Sequence, residues 1–418
     1  MSQPSGQVPT RRPTPQHGVA APNSIRALQG FGQSVWLDYL HRGLFTTGEF
    51  QRLILEDGLR GVTSNPAIFE KAIVGGPEYT AAIQELARHQ RMEPIALYEA
   101  LAIRDIRAAA DLLRPVYDAT ARADGYASLE VSPHLAHDTS ATVEEARRLW
   151  KAVDRGNLMI KVPASMEGLP AIRQLTSEGI NVNITLLFGI RRYDAVAQAY
   201  LEGLSEFIQN GGDSAHVSSV ASFFVSRIDT MVDETIAKRL DSETNPDVRA
   251  SLTSLPGTVG IANAKLAYQH YLAVCRSAPW QALAAKGARP QRLLWASTST
   301  KNPRYRDVRY VEELIGHDTI NTMTPATIEA FRDHGQLRAT LEADIEEARD
   351  VIEALNRTGI SLEKVTDRLL EDGISRFSQA FDALLAALGR ARLSEREPDQ
   401  ERFLDAARSV AASATTRQ

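Results

Sequence analysis

From Gln33 onward the chain alternates between two kinds of segment. Short runs rich in apolar and β-branched residues are followed by longer stretches whose apolar positions recur at helical spacing. Eight of the short runs read as strands: QSVWLDYL (33–40), RGVTSN (60–65), YASLEVS (126–132), LMIKVPA (158–164), NVNITLLF (181–188), HVSSVASFF (216–224), RLLWAS (292–297) and TINTMT (319–324). The intervening helices carry start and stop signals. TTGEFQRLILEDG offers a Thr cap with Glu49 near the third helical position, and TSATVEEARRLWKAVDRG carries a second capping signal and ends in glycine. GLPAIRQLTSEG, IRRYDAVAQAYLEGLSEFIQNGG, SRIDTMVDETIAKRL and PATIEAFRDHG continue the alternation.

Strands this apolar do not leave one face to water, so the pattern implies a parallel sheet covered by helices. Closure into a (β/α)8 TIM barrel is the expected fold, with extra helices inserted after the second and sixth strands. A doubly wound open sheet is the alternative, but no GxGxxG follows the first strand. The apolar stripe of SLEKVTDRLLEDGISRFSQAFDALLAALG predicts a C-terminal helical extension packed on the barrel. The expected divisions are a disordered leader over 1–24, the barrel with its extension over 25–390, and a helical, frayed tail over 391–418.

Composition narrows this picture only a little. Lys and Arg number 47 against 52 Asp and Glu, a formal charge of −5, and this balance argues against non-specific nucleic-acid binding. Cys275 is the single cysteine, so no internal disulfide forms; it is expected as a small buried apolar residue in a reducing, cytoplasmic compartment. No apolar run reaches the length of a membrane span.

A barrel builds its active site from strand ends at the C-terminal mouth. The first strand offers Asp38 there, the second Asn65, the third Glu130, the fourth Lys161, and the fifth Asn183 and Thr185. The sixth offers Ser222 and Arg227, and the seventh Ser297 with Lys301 nearby. A polar barrel face is costly unless its groups bond to each other, to water or to a ligand. Lys161, inside the apolar run GNLMIKVPASMEG, is the most informative of them. Burial disfavours the ammonium form, and a free amine can attack a ketone to form a Schiff base, an electron sink for carbon–carbon cleavage. Asp38 and Glu130 would supply the carboxylic acids such chemistry needs. The residues alone also fit a structural lysine paired with one of those carboxylates, or one snorkelling to the rim. Asp38 also fits a loop cap and Asn65 a pre-proline turn residue. Arg227 opens a helix, where its charge opposes the dipole unless an anion is near; phosphate binding and a surface role both fit. Ser297 and Lys301, in LLWASTSTKNP, form a hydroxyl-and-cation loop of the kind that holds phosphate in barrels. His134 and His137 have metal-like spacing without obvious companion carboxylates, and read as loop residues.

Taken together and in order, GVTSNPAIFEKAI, SLEVSPHLAHDT, MIKVPASMEGLPAI, GINVNITLLF, VSSVASFFVSRIDTMVD and LLWASTSTKNP resemble transaldolases of the longer bacterial subfamily, across about residues 25 to 390. The resemblance implies a class I enzyme of the non-oxidative pentose phosphate pathway, with sugar phosphates as substrates and neither metal nor cofactor. It implies transfer of a dihydroxyacetone unit from sedoheptulose 7-phosphate or fructose 6-phosphate to glyceraldehyde 3-phosphate or erythrose 4-phosphate. Lys161 falls at the family's Schiff-base lysine, Asp38 at its acid/base aspartate, and Glu130 with Thr185 at the glutamate–water–threonine relay. Asn65 and Asn183 match donor-binding asparagines, Ser222 a sixth-strand serine and Arg227 a phosphate ligand; Ser297 and Lys301 are assigned to the seventh-strand phosphate loop. Two stretches depart from the better-known short transaldolases: STSTKNP has lysine where they place arginine, and PASMEG lacks their Ser-Thr-Trp. Neither membrane nor nucleic acid is an expected partner, and the chain is compatible with a monomer or a homodimer. A simple aldolase releasing free dihydroxyacetone, or an inactive scaffold, remain as alternative readings.

Overall fold

Eight parallel strands close on themselves in sequence order, with β8 hydrogen-bonded back to β1, in a computed structural model that describes residues 23–89 and 92–394. The strands are β1 (Gln33–Leu37), β2 (Gly61–Thr63), β3 (Tyr126–Glu130), β4 (Leu158–Pro163), β5 (Val182–Leu187), β6 (Ser219–Phe224), β7 (Arg292–Ala296) and β8 (Thr319–Met323). Every expected strand is present at its expected place, trimmed by a few residues, and the barrel rather than the open sheet is the outcome. Residues 1–22 of the expected leader and 395–418 of the expected tail lie outside the described residues.

Three helices follow β2: α1 (Pro66–Gly75), α2 (Pro77–His89) and α3 (Pro94–Ala119). After β3, β4 and β5 come α4 (Thr139–Val153), α5 (Gly168–Ser177) and α6 (Ile190–Gln209). Four follow β6: α7 (Ser226–Leu240), α8 (Pro246–Ser254), α9 (Val259–Arg276) and α10 (Ala278–Ala284). Beyond β8 come α11 (Pro325–His334), α12 (Ile345–Arg357) and the long α13 (Leu362–Ser394), so both expected insertions and the C-terminal extension are in place.

Two helix boundaries differ from the sequence reading, each for a local reason. The chain has already made one helical turn at Arg42–Thr46, and Gly48, at φ 75°, breaks it before Glu49–Arg52 begins. Glu49 therefore opens its turn instead of reaching back from the third position, although Thr47 Oγ1 accepts from Glu49 N at 3.4 Å. At α4 the cap is Asp138, whose Oδ1 accepts from Ala141 N at 2.9 Å. The same helix ends at Asp154, itself left-handed at φ 51°, and not at the glycine that follows.

The barrel interior is layered. Alternation turns Trp36, Tyr126, Met159, Val220, Leu294 and Ile320 inward in its lower half, where all are buried in one apolar cluster. Beneath them Asp124 closes the floor, accepting from Ser34 Oγ (2.7 Å), Trp36 Nε1 (3.2 Å) and Arg292 Nη2 (2.9 Å). Higher up the same alternation brings in polar residues. Asn183 Nδ2 donates to Ser128 Oγ at 3.0 Å, and Asn183 Oδ1 accepts from Ser222 Oγ at 2.7 Å. The apolar plug fills the lower barrel, and the cleft lies at the mouth, bordered by Ser222 of this polar tier.

Candidate active site at the barrel mouth

β4 carries Lys161 on its inward face, where the side chain is buried with 4% of the residue exposed. Register places it beside Glu130 on β3 and Asn183 on β5. Its Nζ donates to Glu130 Oε2 and to the Ser64 carbonyl, both at 3.2 Å. Glu130 is buried too, and its second oxygen, Oε1, has no hydrogen-bond partner. Burial pushes its carboxyl above the ordinary carboxylate range; the Lys161 charge pulls back and the Asp38 charge pushes further up. Thr185 stands one register row above Asn183, opposite Pro163, fully buried, with Oγ1 likewise without a partner. Buried polar atoms are rarely left unbonded, so two such atoms around one amine mark a place built to handle protons or ligand oxygens.

Lys161 faces a cleft of about 330 Å³. Asp38, half-buried at the end of β1, borders it and is held in position from two sides. Its backbone N donates to the Met323 carbonyl at 2.8 Å, and its Oδ1 accepts from Thr63 Oγ1 at 2.9 Å. Thr63 and Thr322 hydroxyls in turn bond at 3.0 Å, linking β1, β2 and β8 around the carboxylate. Asn65 follows β2 and caps α1, accepting from Ile68 N at 3.0 Å, with Pro66 fixed as the first helical residue. The capping role and the place on the cleft wall coexist in this one residue.

The opposite wall is basic. Arg227, in the first turn of α7, and Lys301, after β7, both border the cleft with Ser222 and Ser297. Burial first, and then the nearby Arg376 charge, lower the Arg227 guanidinium below its ordinary value. Lys301 is exposed as a residue, yet its ammonium end donates to Ser299 Oγ and is lowered by burial and by Arg227. Ser297 takes a left-handed φ of 56° so that its carbonyl accepts from Ser226 Oγ at 2.6 Å. That bond ties the β7 loop to the start of the helix carrying Arg227.

Eight of the ten sequence-predicted site residues thus border one cleft, and two stand behind it. Glu130 touches the lysine from behind, and Asn183 supports Ser222 from the tier below. Three contributors went unmentioned in the sequence reading. Thr63 and Thr322 carried a usable signal, since each continues the inward alternation of its strand (Gly61, Thr63; Ile320, Thr322). Phe377, whose ring centroid lies 5.9 Å from Lys161 Nζ, carried none, because it arrives on α13 from far along the chain. His134 and His137 lie at the surface, paired with Asp382 (2.8 Å) and with Glu167 (3.3 Å) and Glu371 (3.5 Å). Among the described residues no three His, Cys, Asp or Glu side chains are grouped to hold a metal. Cys275 is half-buried, not a core residue as expected, because α9 presents it at the edge of the apolar cluster; burial raises its thiol.

Fold and site define a parallel eight-stranded barrel with a buried lysine–carboxylate pair at its C-terminal mouth, facing a basic wall. Comparison with known proteins agrees. The profile of the Transaldolase/Fructose-6-phosphate aldolase family matches residues 35–388. A transaldolase of Trichodesmium erythraeum is 47% identical over 368 residues, 88% of this chain and 97% of that protein. Transaldolase 2 of Nostoc punctiforme is 48% identical over 369 residues (88% and 97%), and a transaldolase of Thiobacillus denitrificans 47% over 367 residues (88% and 100%). The chain belongs to the Transaldolase/Fructose-6-phosphate aldolase family. No helix among its described residues is long and apolar enough to cross a membrane.

Proposed function

We propose that the chain is a transaldolase that works through a Schiff base on Lys161. The observation that carries this is the Lys161 nitrogen, buried and hydrogen-bonded to Glu130, opening onto a cleft shared with Asp38 and a basic wall. The amine attacks the carbonyl carbon of a ketose phosphate; a proton passes to the oxygen, water leaves, and an iminium remains. Glu130, whose raised carboxyl accepts and returns protons readily, serves this dehydration, with Thr185 Oγ1 available to hold the intervening water. Asp38 takes the proton of the hydroxyl adjoining the bond that breaks, and the electron pair of that bond flows into the iminium to leave an enamine. The first aldose departs, the enamine carbon adds to the acceptor aldehyde, and water releases the new ketose from Lys161. Arg227 and Lys301 face the phosphate end, and Asn65 and Ser222 the sugar hydroxyls. A cytoplasmic setting fits the single half-buried thiol.

Borohydride reduction in the presence of fructose 6-phosphate tests the reading. A stable mass increase is expected on the peptide bearing Lys161, and Lys161→Ala is expected to abolish both adduct and turnover. Absence of an adduct in the unmodified enzyme overturns it. Because the family name covers two activities, product analysis with and without erythrose 4-phosphate decides between transfer and release of free dihydroxyacetone.

A further inference from the structure

Most partly buried cations of this molecule sit against a carboxylate. Arg42 meets Asp105 at 2.8 Å, Arg292 meets Asp124 at 2.9 Å, Arg332 meets Asp57 at 2.7 Å and Lys265 meets Glu313 at 3.6 Å. Three cations at the mouth, Arg227 half-buried and Lys301 and Arg376 exposed, differ. Arg227, Lys301 and Arg376 have no carboxylate within ion-pair distance among the described residues, yet they face one another. Arg227 and Lys301 border the main cleft, and both also line a side arm of about 220 Å³ together with Arg376 on α13. The repulsion is felt within the group: Arg376 helps lower Arg227, and Arg227 helps lower Lys301. Glu234 and Asp372 line the same arm, but Asp372 leans to Arg368 at 3.8 Å. Asp38 and Glu234 offset this repulsion only from beyond ion-pair distance, and like charges so gathered favour an anion in the space between them.

We propose that Arg376, contributed by the C-terminal helix, is a specificity-determining ligand for the phosphate of the sugar substrates, completing a three-cation site with Arg227 and Lys301. The inference rests on the transaldolase reading above. Lys301 offers a single point charge, whereas a phosphate dianion is best held by planar forks. Arg227 supplies one fork from α7 and Arg376 a second from α13, both on the lining of the side arm. Arg376 directly precedes Phe377, whose ring covers the Lys161 amine, so one turn of α13 both shields the reacting nitrogen and holds the distal charge of the substrate. Gly373, one turn earlier, permits the close approach: a Cβ there would lie 2.8 Å from Leu186 Cδ2.

Arg376→Ala tests this, with Arg376→Gln as a second variant should the first fold poorly and Arg376→Lys as the conservative one. Loss of one charge-assisted contact is expected to raise KM for fructose 6-phosphate and erythrose 4-phosphate about tenfold or more, with kcat within about threefold. Competitive inhibition by inorganic phosphate should weaken by the same factor, and lysine should restore part of it. Borohydride trapping with unphosphorylated dihydroxyacetone should proceed at the unmodified rate. Unchanged KM and phosphate inhibition overturn the proposal, as does an equal loss with dihydroxyacetone, which would mark a merely structural arginine. If the unmodified enzyme forms no adduct at all, the transaldolase reading fails instead, and phosphate binding alone still reads out Arg376.

Discussion

In the proposed reaction Lys161, Glu130 and Asp38 divide the labour by environment. Glu130 is buried against the amine, with a raised carboxyl and one free oxygen. Asp38 is half-buried and oriented by the Thr63 hydroxyl and by β8. The two should therefore fail at different steps. Glu130→Gln is expected to slow formation of the trapped adduct itself by about 10²- to 10⁴-fold, the usual reach of a positioned acid–base group. Asp38→Asn should leave adduct formation within about tenfold of normal while turnover falls by about the same 10²- to 10⁴-fold. Timed borohydride quenches beside steady-state rates check both, and equal loss of trapping in the two variants would refute the division. At this scale the sequence was informative for the strand-borne residues, whose period-two alternation gives them one face, but Arg227, Ser297 and Lys301 lie beyond the reach of that pattern. It could not say that Asn65 is at once cap and cleft wall, or that Asn183 lies beneath Ser222, since both depend on which neighbour fills the adjoining space.

Among the elements, β4 and the turn into α5 set the height of the lysine. Gly168 opens α5, and a Cβ there would stand 2.1 Å from the Pro163 carbonyl oxygen, backbone of the strand carrying Lys161. Backbone cannot swing aside as a side chain can, so Gly168→Ala is expected to cost about 1–4 kcal/mol in urea unfolding and to lower kcat by moving β4. Gly30→Ala is the matched control: nothing lies within 4 Å of its added carbon, and its stability should stay within about 0.5 kcal/mol. A variant at Gly168 as stable and active as the control would refute the argument. Helix boundaries were less legible than strands. A capping box at Thr47 was a sound local inference, overridden because Gly48 and a helical turn already made at Arg42–Thr46 left no room for it.

For the whole molecule, pH-dependent stability also draws on groups the chemistry does not use. Asp229 on α7 is buried, accepting from Gly260 N at 2.7 Å and Tyr310 OH at 2.8 Å, and burial lifts its pKa from 3.8 to about 6. Between those values the folded chain binds more protons here than the unfolded chain, so this group's contribution falls as pH rises through the window. Asp229→Asn keeps an oxygen for the Gly260 N–H, places its Nδ2 donor against the Tyr310 hydroxyl, which can turn to accept, and has no charge to bury. The stability difference, variant minus unmodified, should therefore grow by on the order of 3 kcal/mol between about pH 4 and pH 6 and then level off. Urea midpoints across that range measure it, and a flat difference refutes the assignment.

Strand order, barrel closure and the inward place of Lys161 at the barrel mouth were legible in the sequence alone. The reason is that periodicity and strand-end chemistry are local properties, repeated often enough along the chain to leave one consistent architecture. The tertiary structure alone decided what meets Lys161 from afar. Phe377 reaches Lys161, and Arg376 the side arm beside Arg227, only because α13 folds back over the mouth, and no local spacing encodes contacts so far apart in sequence. It also decided which cations go without a carboxylate, since pairing is a matter of distance in space.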